Sequence, residues 1–151
     1  MVVFMAVALV VACGYAIASS PPANRLVVVV SPTHALLDQP VSVNVGNAPP
    51  GSTVRVTATL VDRYGRRWRS LGVFRADTDG NVNTSEMPSI SGTYVGTDAT
   101  GLFWSLNEVG SGWPFDEEAL LPSALARRTR VRLTATVSGK QRASATLIWR
   151  I

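Results

Sequence analysis

Cysteine, histidine and lysine each occur once in this 151-residue chain, as Cys13, His34 and Lys140. A single cysteine excludes an intrachain disulfide, so a folded body must rest on packing alone. One histidine and one cysteine cannot furnish a zinc shell. They also leave too few parts for a Ser-His-Asp or Cys-His-Asp triad: Cys13 lies in the apolar N-terminal run, and His34 falls in a predicted surface turn, Ser31-Pro32-Thr33-His34. The nucleophile-elbow spacing G-x-S-x-G is missing too, and Gly110-Ser111-Gly112 reads as a flexible loop. No residue is therefore assigned a catalytic or metal-binding role, and no cofactor is expected. Charged residues make up only 16% of the chain and form no long polar tract, while 46% is hydrophobic, which excludes disorder as a description of the body.

What is present begins with an uncharged apolar run, MVVFMAVALVVACGYAIA, from Met1 to Ala18. Its length is at the lower limit for spanning a bilayer, and Ala16-Ile17-Ala18 before Ser19 suits a signal-peptidase site. Residues 1–18 are expected to be a signal peptide or a membrane or lipoprotein export segment, sending the protein to the cell envelope or the medium. Within it, Val10-Val11-Ala12-Cys13 resembles a bacterial lipobox, which makes Cys13 a lipidation candidate and membrane anchoring an alternative to cleavage. The first basic residue is Arg25, whereas an export leader usually carries Lys or Arg near its start. Residues 19–24, Ser-Ser-Pro-Pro-Ala-Asn, read as a linker. Residues 25–151 then suffice for one domain with one core, and a second, catalytic domain does not fit.

The body reads as an all-β, immunoglobulin-like antiparallel β-sandwich. Leu26 to Val30 is β-branched and flanked by turn residues, Val41 to Val45 alternates strictly, and Thr53 to Val61 sets Val54, Val56, Ala58 and Leu60 against Arg55, Thr57 and Thr59. Asp62-Arg63-Tyr64-Gly65 predicts a hairpin turn before a strand from Trp68 to Ala76, and Asp77-Thr78-Asp79-Gly80 predicts another before a short edge at Val82. Further strands are expected at Gly92 to Val95, Leu102 to Leu106, Arg130 to Val137 and Ala143 to Trp149. Seven or more short strands with frequent turns imply a sandwich. Trp68, Phe74, Tyr94, Trp104 and Trp149 are expected in its core. From Asn107 to Arg128 the chain is irregular, with one helical turn predicted after Asp116 and before Pro122.

Four blocks, in order and spacing, carry a resemblance. They are Val30-Ser31-Pro32 with Ala35 to Val41; Ala48-Pro49-Pro50-Gly51; Asp62 to Gly65 with Trp68, Phe74 to Asp77 and Gly80; and Ser91 to Asp98 followed by Gly101-Leu102-Phe103-Trp104-Ser105. Together they resemble the N-terminal domain of the acyl-CoA thioesterase and bile acid-CoA:amino acid N-acyltransferase family. The resemblance covers about Arg25 to Trp149; it departs at Ala99-Thr100, where the family usually has Met. In that family the sandwich precedes an α/β-hydrolase domain that cleaves an acyl-CoA thioester or passes the acyl group to glycine or taurine. The resemblance thus implies a non-catalytic module whose partner is an α/β-hydrolase domain, with an exported, lipid-anchored binding module as the alternative.

Two arginine groups stand out: Arg63, Arg66, Arg67 and Arg69 around one hairpin, and Arg127, Arg128, Arg130 and Arg132 leading into a late strand. Alternation puts Arg130 and Arg132 on one outer face. Guanidinium binds phosphate bidentately, so the second group is the candidate for the phosphates of coenzyme A or an anionic membrane, against the plainer role of a solubilising face. Nucleic acid is not expected as a partner, because no binding motif or interleaved stacking aromatics accompany the charge. Asp77, Asp79 and Gly80 are explained by a β-turn, and Asp116-Glu117-Glu118 by a solvated helix start. Trp113 and Phe115 either cover one end of the sandwich or form a contact site.

Overall fold

The computed structural model describes residues 25–110 and 125–150. Expectations that fall on Cys13, the apolar segment 1–18, Trp113, Phe115 and Asp116 to Glu118 lie outside them. Two sheets pack face to face. The smaller joins β1 (Val27–Ser31), β3 (Ser42–Gly46) and β6 (Val82–Asn83) in the order β1-β3-β6. The larger runs β2 (His34–Leu36), β10 (Gln141–Arg150), β9 (Arg128–Val137), β4 (Thr53–Val61), β5 (Arg67–Arg75) and β7 (Ser91–Gly92), with β8 (Asn107–Glu108) also pairing β5. This is an all-β sandwich.

Alternation dictates which residues meet between the layers. Val54, Val56 and Ala58 of β4, Phe74 of β5 and Val131, Leu133 and Ala135 of β9 are fully buried, facing Val43 and Val45 of the small sheet. Each buried branched side chain contributes on the order of 1.5–3 kcal/mol, and no disulfide is needed to hold the layers together. Trp68, Tyr94 and Trp149 join this core as the pattern predicts, and Phe103 packs on Trp149 with ring centroids 5.3 Å apart.

Four expectations are corrected. Leu102 to Leu106 is no strand, because Gly101–Trp104 forms a short helix, α1. The preceding turn enforces it: the Thr100 backbone N–H and hydroxyl both donate to Asp98 Oδ1, at 2.8 and 2.9 Å. Trp104 is consequently 63% exposed rather than in the core, since helical spacing turns it away from the buried Leu102 and Phe103. In the Gly92 to Val95 stretch only Gly92, paired through Ser91–Gly92, enters a ladder; beyond it Ser89 and Gly96 make an isolated bridge. Finally, His34 does not sit in a turn. It opens β2, which pairs parallel with β10, an exception in a sandwich expected to be antiparallel.

Two further loops are set by carboxylates. Asp77 Oδ1 accepts from the backbone N–H of Asp79 at 2.9 Å and of Asn81 at 2.7 Å, an Asx-type turn. It is closed by Gly80, whose φ of +79° and close approach to the Ala48 carbonyl leave no room for a Cβ. The hairpin between β4 and β5 is organised by Asp62, described below.

Candidate functional site

The outer face of the large sheet gathers both arginine groups that are distant in sequence. Strand β4 lies between β5 and β9, pairing Thr59 with Arg69 on one side and Arg132 on the other, while Arg132 pairs onward with Thr146 of β10. One row across four strands therefore reads Arg69, Thr59, Arg132, Thr146. Arg67 lies opposite Val61, Arg130 opposite Ile148, which in turn pairs with His34, and Arg128 opposite Arg150. All six arginines are exposed, and they line one concave groove of about 1300 Å³.

Of the sequence-predicted candidates, Arg128, Arg130 and Arg132 line this groove, whereas Arg127 lies in the bend before β9 and does not. The hairpin group divides. Arg67 and Arg69 point outward and Arg63 reaches the rim, stacked over Tyr64 at 4.7 Å. Arg66 instead turns inward to an ion pair with Asp62 at 2.7 Å and approaches Glu108 at 3.7 Å. Arg150 escaped the sequence reading, although the inward parity of Leu147 and Trp149 already sets it on the outer face.

No ion pair among the described residues compensates the charge of the groove arginines. Among the described residues both ion pairs belong to Arg66, and no carboxylate lies within 4.0 Å of a groove arginine. Arg128 faces Arg150 directly across β9 and β10, an arrangement that costs roughly 0.2–1 kcal/mol for like charges. Thr59 and Thr146 set hydroxyls among the guanidinium groups, and Val61 and Ile148 add apolar area.

Asp62 is the buried polar anchor beside this groove. Its Oδ1 accepts from the backbone N–H of Tyr64 and Arg66, each at 2.9 Å, and its Oδ2 from Arg66 Nε at 2.7 Å and Trp68 Nε1 at 3.1 Å. Burial would push the carboxyl up, but the Trp68 indole N–H, the Arg66 amide and guanidinium and the Tyr64 amide together hold it below the usual carboxylate range.

A second surface lies around α1. Trp104 Nε1 donates to Asp98 Oδ2 at 2.8 Å, which fixes an exposed ring. This indole N–H, with the Thr100 amide, holds the Asp98 carboxyl below its ordinary range against the opposing pull of burial. Ile90 and Val95, on the two sides of the Ser89–Gly96 bridge, are 53% and 74% exposed, and the Tyr94 ring lies 6.3 Å from that of Trp104. Tyr94 itself is buried, its hydroxyl has no partner among the described residues, and burial followed by the charge of Asp98 pushes its pKa up to about 12. Gly101 makes room for its ring, since a Cβ there would fall 2.3 Å from it.

Fold and surfaces define a β-sandwich module with one basic sheet face and an exposed, anchored tryptophan. The chain belongs to the acyl-CoA thioester hydrolase/BAAT N-terminal region family, whose sequence model matches residues 38–150. It is similar to mouse bile acid-CoA:amino acid N-acyltransferase, 39% identical over 75 residues, which is 50% of this chain and 18% of that protein. It is 33% identical over 78 residues to mouse acyl-coenzyme A amino acid N-acyltransferase 1, covering 52% of this chain and 19% of the relative. Rat acyl-coenzyme A thioesterase 1 matches at 29% over 76 residues, or 50% of this chain and 18% of the relative. The matched segment thus spans less than a fifth of the length of these relatives.

Proposed function

We propose that this chain is the non-catalytic β-sandwich module of an acyl-CoA thioesterase or acyltransferase system, and that it packs against an α/β-hydrolase catalytic domain. Family membership over residues 38–150 supports the module, as does similarity confined to under a fifth of each relative. The observation that carries the docking is Trp104: a 63% exposed indole, held by Asp98, with its ring 6.3 Å from that of Tyr94. A free surface gains nothing from ordering a large apolar ring, whereas an interface uses a fixed aromatic as an anchor. The catalytic nucleophile, base and acid then belong to the partner, consistent with a chain whose one histidine lies at a sheet edge.

The test is a chimera in which residues 25–151 replace the matching region of mouse bile acid-CoA:amino acid N-acyltransferase. Acyl-CoA turnover is followed by release of free thiol. The chimera is expected to retain turnover, the isolated chain to show none, and Trp104→Ala to lower the chimera's turnover or its cohesion. Turnover by the isolated chain overturns the module reading; a chimera indifferent to Trp104→Ala overturns the docking surface.

A further inference from the structure

A surface that only kept the domain in solution would mix charge signs; among the described residues the groove on the large sheet is lined by seven arginines and one carboxylate, the buried Asp62, which is paired with Arg66. The groove brings Arg67, Arg69, Arg128, Arg130, Arg132 and Arg150 together from three strands, sets Arg128 opposite Arg150, and has no carboxylate in ion-pair range of these six among the described residues. Such a constellation is balanced by a ligand of concentrated negative charge. Strand spacing of about 4.8 Å and a two-residue repeat of about 6.7 Å put the arginine stems on a lattice roughly 14 by 13 Å across. That footprint suits a compact ligand, and the groove is concave, bounded by Asp62 and Arg63 of the hairpin and by Val109, where a bilayer would need a flat or convex face. Guanidinium forks bind phosphate oxygens in pairs, the hydroxyl of Thr146 adds a donor between them, and Val61 and Ile148 offer an apolar seat.

We propose that this groove binds an oligophosphate of nucleotide size, with the six arginines on its phosphates and Val61 and Ile148 against its uncharged part. Coenzyme A, with a pyrophosphate and a third phosphate, is one probe; the proposal rests on the function proposed above only for that choice.

The full 151-residue chain is titrated calorimetrically with tripolyphosphate, coenzyme A, dephospho-coenzyme A and pantetheine, and sedimented with phosphatidylserine vesicles. Tripolyphosphate and coenzyme A are expected to saturate at one site, dephospho-coenzyme A to bind more weakly, and pantetheine not at all. Arg128→Ala with Arg150→Ala is expected to weaken phosphate binding by at least about 10-fold, the loss of one or more charge-assisted contacts. Arg55→Ala with Arg142→Ala, on the same face but outside the groove, is expected to change it by less than about 2-fold. Thermal unfolding of both variants checks that the fold is intact. Tripolyphosphate bound without coenzyme A upholds the oligophosphate site and removes its link to acyl-CoA chemistry. Absence of saturable phosphate binding, equal losses in the two double variants, or vesicle binding alone overturns the proposal.

Discussion

Removing the carboxylate of Asp62 should unlock the hairpin that forms one wall of the arginine groove. Its side chain is wholly buried and accepts four hydrogen bonds, two from backbone amides, one from Arg66 Nε and one from the Trp68 indole. Asp62→Ala leaves the buried indole N–H without an acceptor, which costs about 1–3 kcal/mol. The hairpin amides can partly recover water, and Arg66 is partly exposed, so their share is discounted. The total expected loss is about 3–5 kcal/mol, the range for breaking a buried ionic cluster from one side. Asp62→Asn keeps the shape but turns an N–H toward another donor and should lose about 2 kcal/mol. Urea unfolding followed by tryptophan fluorescence measures both. The pH dependence gives an independent reading. Because the folded carboxyl titrates below its unfolded value, near 3.8, its contribution is complete above about pH 4 and fades as pH falls through the lower, folded value. The stability gap between wild type and Asp62→Asn should therefore be constant from about pH 5 to 8 and close in more acid solution. An Asp62→Ala protein within about 1 kcal/mol of wild type, or a gap that widens in acid, would refute this account of the hairpin.

Gly80→Ala places a Cβ 2.1 Å from the Ala48 carbonyl oxygen at a φ of +79°, and should cost at least about 2 kcal/mol in unfolding free energy. Gly65→Ala, at a φ of +81° with open space around it, should lose only about 1 kcal/mol, so equal losses would discount the contact. Tyr94→Phe removes a buried hydroxyl that has no partner among the described residues and should leave stability unchanged or raised by up to about 1 kcal/mol. The same variant should abolish a late tyrosinate absorbance change near pH 12. Trp104→Phe deletes the first of the groups that hold Asp98 low, so the Asp98 carboxyl should titrate at higher pH by carbon NMR, with unfolding free energy altered by less than about 1 kcal/mol.

Strict alternation made most of the sandwich legible. Val54, Val56, Ala58 and Val131, Leu133, Ala135 face the core as their parity requires, and the turns at Asp62 and Asp77 fall where Asp and Gly cluster. Parity fails where the run is short and continuously apolar. Leu102, Phe103 and Trp104 carry no period that separates strand from helix, and the Asp98 turn decides the matter through hydrogen bonds. The arginine groove was half legible. Each group could be placed on an outer face, but their meeting depends on β4 inserting between β5 and β9, a pairing set by long-range register that no local pattern encodes. Asp62 read as a turn residue, and nothing local announces that Trp68, six positions on, would bury the same carboxylate.

The three residues of β2 bear on where the unit can be cut. The family match begins at residue 38, yet β1 and β2 precede it and contribute the buried side chains of Val30 and Ala35. Starting the polypeptide at that boundary would strip one outer strand from the small layer and uncover Ile148, Trp149 and Arg150, the end of β10 that β2 pairs. Those three positions would extend the edge that β2 already leaves open along residues 141–147, and unpaired amide and carbonyl groups on a longer edge invite pairing with another molecule. A trimmed protein should therefore self-associate more strongly with concentration than one retaining residues 25–37, in which β2 still covers the Ile148 to Arg150 end of β10.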